Sequence, residues 1–103
     1  MMNKIKDIKK WKAPNWHKDF GDPIKEMQLL QDVCINILDL GYDYLFKLDC
    51  FEEGYLSVEV FEKDDLIFDM QVVNSDEKKI GLFFKNGEEH YINQSSEISK
   101  FLK

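Results

Sequence analysis

The stretch KIGLFFKNGEEHYIN, Lys79 to Asn93, decides the fold of this chain. Apolar and polar residues alternate on both sides of Asn86-Gly87. That dipeptide between two alternating runs is the strongest short-range signal for a β-hairpin. The spacing predicts a two-residue type I′ turn, because only small or amide residues accept two successive left-handed positions. In that register Lys85 faces Glu88, Phe84 faces Glu89, Phe83 faces His90 and Leu82 faces Tyr91.

Upstream of the hairpin the same period of two recurs. YDYLFKLDCF sets Tyr42, Tyr44, Phe46, Leu48 and Cys50 against Asp43, Leu45, Lys47, Asp49 and Phe51. EEG then turns the chain, and YLSVEVF places Leu56, Val58 and Val60 on one face. EKDD turns it again, and LIFDMQVV sets Leu66, Phe68, Met70 and Val72 against Ile67, Asp69, Gln71 and Val73. NSDEK is the next polar turn. Short turns between consecutive strands imply an antiparallel meander of about five strands.

Before the strands the period is helical. In DPIKEMQLLQDVCINILDLG, Asp22 can cap, Pro23 suits the first helical position and Glu26 lies in the first turn. Ile24, Met27, Leu30, Cys34, Ile37 and Leu38 form one apolar stripe, and Gly41 is a natural stop. The spacing predicts a helix over 23–40. At the other end, SSEISKFLK predicts a short helix with Ser95 or Ser96 as cap and Ile98, Phe101 and Leu102 inward. The expected fold class is therefore α+β, in two layers: one long helix on the meander, with a short C-terminal helix. No repeat or linker divides the 103 residues, so one domain is expected over 1–103. Residues 1–21 form a lysine-rich arm or short helix packing on it. Trp11, Trp16 and Phe20 in that arm read as apolar plugs that cover part of the sheet, with the surrounding lysines in water or against acids, the alternative being that Trp11 and Trp16 contact a partner.

The charge is unevenly spread. Residues 1–18 hold six lysines against Asp7, a net of +5, while residues 19–103 hold eight lysines against 19 acids, a net of −11. Every basic residue is lysine. Arginine is the preferred residue for bidentate phosphate and base-edge contacts, so direct nucleic-acid binding is not expected. An acidic body instead suits a basic partner. No apolar run approaches the roughly 18 residues of a membrane span. The lysine-rich start is not followed by a continuous apolar stretch, so no cleaved leader is expected and the cytoplasm is the expected compartment. Cys34 and Cys50 are not in a C-x-x-C pair and read as buried thiols in a reducing environment.

Catalytic signatures are missing from the sequence. The five serines lack nucleophile-elbow glycines, and the five glycines build no phosphate loop. His17 and His90 are the only histidines, too few for a three-ligand metal site without help, and EKDD lacks the spacing of a calcium loop. In EEHY, Glu88 and His90 share one face and Glu89 takes the other. The carboxylates lie mostly in turns, with no histidine or lysine evidently fixed beside them, which disfavours a paired acid/base site. The expectation is a non-enzymatic protein with no cofactor and no metal. The sheet face away from the helix is half apolar and half acidic, which suits a binding surface. Asp49, Glu52, Glu53, Glu62, Asp64 and Asp65 lie near two successive turns at opposite ends of the second strand. Asp43, Glu59 and Asp69 lie between them, and Tyr55 and Phe61 are aromatic neighbours. Together these form a candidate acidic stripe with aromatic anchors.

The small size, the acidic body, the lysine-only basic content, the helix–meander–helix order from Asp22 to Lys103 and the run YDYLFKLDCFEEGY together carry a family resemblance. At the level of type, the chain resembles the immunity proteins that protect bacteria from polymorphic or contact-dependent growth inhibition toxins. That resemblance implies a cytoplasmic antitoxin-like inhibitor that binds a cognate toxin domain, often a nuclease, by protein–protein interaction. Two other readings share the acidic surface. One is a phage-type inhibitor of a host defence nuclease acting by acidic mimicry of nucleic acid. The other is an adaptor module whose outer sheet face mediates homodimerisation.

Overall fold

The structure is a computed structural model and describes residues 23–51 and 55–102. Helix α1 (Pro23–Asp39) is followed by strands β1 (Leu45–Phe51), β2 (Tyr55–Glu62), β3 (Asp65–Asn74), β4 (Lys79–Phe84) and β5 (Glu89–Ile92). A short 3-10 helix, η1 (Ser95–Phe101), ends the fold. The strands form one antiparallel sheet in the order β1-β2-β3-β4-β5, and α1 packs on one of its faces. This is the expected two-layer α+β meander. The arm of residues 1–21, with its tryptophans, lies outside the described residues.

Helix α1 begins where proline costs least, because its missing N–H would have no intrahelical partner there. Met27, Leu30, Val33, Cys34 and Ile37 are its buried stripe. Each fully buried aliphatic side chain of this size contributes about 1.5–3 kcal/mol. The expected stripe is displaced at its start: Ile24 is 58% exposed, while Val33 is fully buried. Gly41 closes the helix in a left-handed conformation (φ 94°), with its N–H donating to the Leu38 carbonyl at 3.0 Å.

The inner sheet face fills the space beneath α1. Phe46 and Leu48, Leu56, Val58 and Val60, Phe68 and Met70, Ile80 and Leu82, and Ile92 are buried there, and Ile98 of η1 joins them. Cys34 is a free thiol inside this core, and burial pushes its pKa well up, which keeps it protonated and unreactive. The Cys50 side chain lies outside what the structure describes.

Two local expectations are corrected. The β4–β5 loop has three residues, not two. Phe84 N–H donates to the Glu88 carbonyl at 2.9 Å, and Gly87 N–H donates to the Phe84 carbonyl at 3.0 Å. Gly87 takes the left-handed conformation (φ 95°) and Asn86 does not. Asn86 Oδ1 instead accepts from Glu88 N–H at 3.0 Å. A turn followed by a left-handed glycine is the usual three-residue hairpin loop. The register becomes Leu82 opposite His90, Gly81 opposite Tyr91 and Phe83 opposite Glu89. A shift of one residue exchanges the faces of β5. His90 therefore joins the helix side, and Tyr91 the outer side. At the other end, neither Ser95 nor Ser96 caps η1. Gln94 holds the cap position without a side-chain bond, and the Ser95 hydroxyl accepts from Asn36 Nδ2 of α1 at 2.9 Å. That hydroxyl ties the two helices together instead of closing its own.

Candidate functional site

The face of the sheet turned away from α1 is built by the register. Antiparallel pairing aligns Lys47, Glu59, Asp69, Phe83 and Glu89 in one row across all five strands. The adjacent row is Asp49, Ser57, Gln71, Gly81 and Tyr91. Directly opposed side chains are about 5 Å apart at Cβ, and diagonal ones remain within reach of long side chains. Asp49, Glu59 and Asp69 thus meet in the middle of the face. Asp49 and Glu59 keep 26% and 28% of their side-chain surface.

Lys47 Nζ stands 3.8 Å from both Asp49 Oδ1 and Glu59 Oε1. One lysine cannot neutralise three acids. A hydrogen bond with Asp49 raises the Glu59 pKa first of all, followed by burial and the charges of Asp49 and Asp69, against the opposing pull of Lys47. Asp69 is also raised, mainly by burial and secondarily by the charge of Asp49. Its Oδ1 is buried and finds no hydrogen-bond partner. Such an oxygen is an acceptor waiting for a donor.

Apolar shoulders stand on both sides. Leu45 and Phe61 pair at one end and are half-buried. On the other side the Phe83 ring lies over Gly81, so close that a Cβ at position 81 would stand 2.9 Å from the ring and 3.2 Å from Val73 Cγ2. Val73 and Tyr91 are exposed. The Tyr91 hydroxyl donates to Glu89 Oε2 at 3.4 Å, and Lys79 Nζ lies 5.1 Å from the Tyr91 ring centroid.

The candidate residues from the sequence divide into groups. Asp49, Glu59 and Asp69 are brought together, with Phe61 at their edge. Glu62 and Asp65 oppose each other across the β2–β3 turn that contains Asp64, and all three are exposed. Asp43 is exposed on the segment before β1. Glu52 and Glu53 lie outside the described residues, as does the side chain of Tyr55. Sequence reasoning placed the acids mostly in turns with no fixed lysine beside them. Asp49, Glu59 and Asp69 lie on strands, as the alternation placed them, but Lys47 is held against two of them. The missed signal was the register of β1 on β2, which sets Lys47 opposite Glu59. Chemically, the cluster can exchange a proton and can accept a cation. Among the described residues no group of three or more His, Cys, Asp or Glu is placed to hold a metal ion.

The corrected hairpin register also builds a second feature, on the helix side. His90 stacks on Phe101 with ring centroids 4.5 Å apart and meets the Phe84 ring edge-on at 5.7 Å. Its Nε2 is 3.3 Å from Glu88 Oε2, so Glu88 and His90 do share a face. These rings border a groove of about 620 Å³ between the β4–β5 loop and the end of η1.

No family model matches this chain, and neither a curated protein nor a solved structure is significantly similar to it. No helix among the described residues is long and apolar enough to cross a membrane.

Proposed function

We propose that this protein is a non-enzymatic inhibitor of the immunity-protein type. It binds a basic, nuclease-type toxin domain in the cytoplasm through the outer face of its sheet. One observation carries the reading. Asp49, Glu59 and Asp69 lie side by side on the face that α1 leaves uncovered, between apolar shoulders, with one carboxylate oxygen lacking any partner. A lysine or arginine of the toxin brought onto this face pairs with the accessible carboxylate surface of Asp49 and Glu59, beside Asp69. It also supplies the positive charge that Lys47 alone does not, which offsets the repulsion that raises the Glu59 pKa. Phe61 and Phe83 give the flanking apolar contact that excludes water from the ion pairs, which is where interface charges count most. The absence of arginine and the acidic body support a protein partner over direct nucleic-acid binding.

The test identifies the product of the adjacent gene and, where it carries a nuclease-type toxin domain, uses that domain. Co-expression is expected to restore growth and to silence nuclease activity in the purified complex. Asp49→Lys with Asp69→Lys is expected to weaken binding at least about a hundredfold, since each desolvated ion pair carries roughly 2–5 kcal/mol. The circular dichroism spectrum should stay unchanged. Full neutralisation by a folded double variant removes this face from the interface. Displacement of the inhibitor by duplex DNA moves the reading to acidic mimicry of nucleic acid.

A further inference from the structure

We infer that the groove between the β4–β5 loop and η1 is a binding site for a small aromatic carboxylate, separate from the outer sheet face. Its walls are apolar and mostly aromatic: Tyr44, Phe84 and Phe101 with Leu66 and Leu102. Its volume of about 620 Å³ falls in the range of small-molecule sites. The His90 imidazole is fixed between Phe84 and Phe101 and turned to Glu88, which gives the groove a preformed aromatic side. Preformed walls lose little ordering entropy when a flat ring enters.

The charge at the rim decides what kind of molecule fits. Lys85 and Lys100 stand there, and among the described residues neither has a carboxylate within ion-pair distance. Among the described lining residues the acid is Glu88, which is engaged by His90, and the Glu62 carboxylate acts on Tyr44 from outside the groove. Around an acidic body, this rim is locally positive. A neutral aromatic would use the walls and leave both ammonium groups in water. A cationic one would be repelled by them. A carboxylate on a short chain places its ring among Tyr44, Phe84 and Phe101 and its charge between Lys85 and Lys100. No reaction is implied, because binding alone uses every group named.

The probe is 4-phenylbutyrate, titrated into the full chain and followed by amide chemical shifts. 4-Phenylbutyramide and 4-phenylbutylamine serve as neutral and cationic counterparts of the same shape. The expected result is saturable binding of the acid at least about tenfold tighter than the amide, with no measurable binding of the amine. The shifts should be confined to residues 44, 66–67, 84–90 and 100–102. Lys85→Gln with Lys100→Gln changes only exposed side chains. It is expected to abolish the preference for the acid while leaving the thermal midpoint unchanged. Equal affinity for all three probes, shifts centred elsewhere, no binding of the acid, or an unchanged preference in the double variant would each overturn the assignment. None of these outcomes bears on the toxin-binding face, which shares no named residue with the groove.

Discussion

Asp69 carries a cost in stability that the proposed binding role would explain. Its carboxyl sits mid-strand, partly buried, with Oδ1 unpartnered and its pKa raised by burial and by Asp49. Glu59, opposite it, is raised by its hydrogen bond to Asp49. A carboxyl whose pKa is higher in the folded state than in the unfolded chain favours folding most below its unfolded value, about pH 4. That contribution is lost as pH rises through the folded value. At neutral pH the ionised Asp69 therefore costs stability. Asp69→Asn keeps the shape and removes the charge. It is expected to raise the urea midpoint at pH 7 by an amount worth on the order of 1 kcal/mol. Below about pH 4 the difference should largely vanish. The same gain at both pH values would show that charge is not the cause. On the proposed reading, the same variant should bind the toxin domain less well, since it removes one negative charge from the face.

At the scale of elements, the β4–β5 hairpin is the informative case. Asn86-Gly87 announced a turn, but the glycine supplies its left-handed residue as the last of three loop positions. A Cβ at Gly87 would touch nothing within 4 Å, so the only cost of Gly87→Ala is backbone strain. That cost is about 1–2 kcal/mol, read as a lower thermal midpoint with the Leu82–His90 pairing intact by nuclear Overhauser contacts. A negligible change would mean that the loop relaxes to another form. Helix α1 was more legible, because its stripe repeats over four turns and a single misplaced residue, Ile24, does not move the element. Loop length has no such redundancy. One residue more or less reverses the faces of β5, and with them the positions of His90 and Tyr91.

At the scale of the whole molecule, charge is segregated. The residues after position 18 carry a net −11, and the clustered acids of β1, β2 and β3 lie on one side of the sheet. Long-range attraction of this kind acts on encounter more than on residence. The association rate with a basic toxin domain is expected to fall roughly tenfold or more between about 0.05 and 0.5 M NaCl, with the dissociation rate changing far less. Stopped-flow fluorescence measures both. A salt-insensitive association rate would mean that apolar contacts steer the encounter and that the acidic face serves another purpose.

The sequence by itself determined the order of elements, the antiparallel meander, the apolar stripe of α1 and the acidic character of the body. Each of these is written in a local period or in composition, and many residues repeat the message. Only the tertiary structure decided which carboxylates meet. Asp49, Glu59 and Asp69 come from three strands, and their proximity to each other and to Lys47 depends on pairing register. The aromatic groove is likewise a product of one extra loop residue and of the packing of η1. Side-chain neighbours across a sheet are set by hydrogen-bond register between distant segments, and no local pattern of residues encodes that register directly.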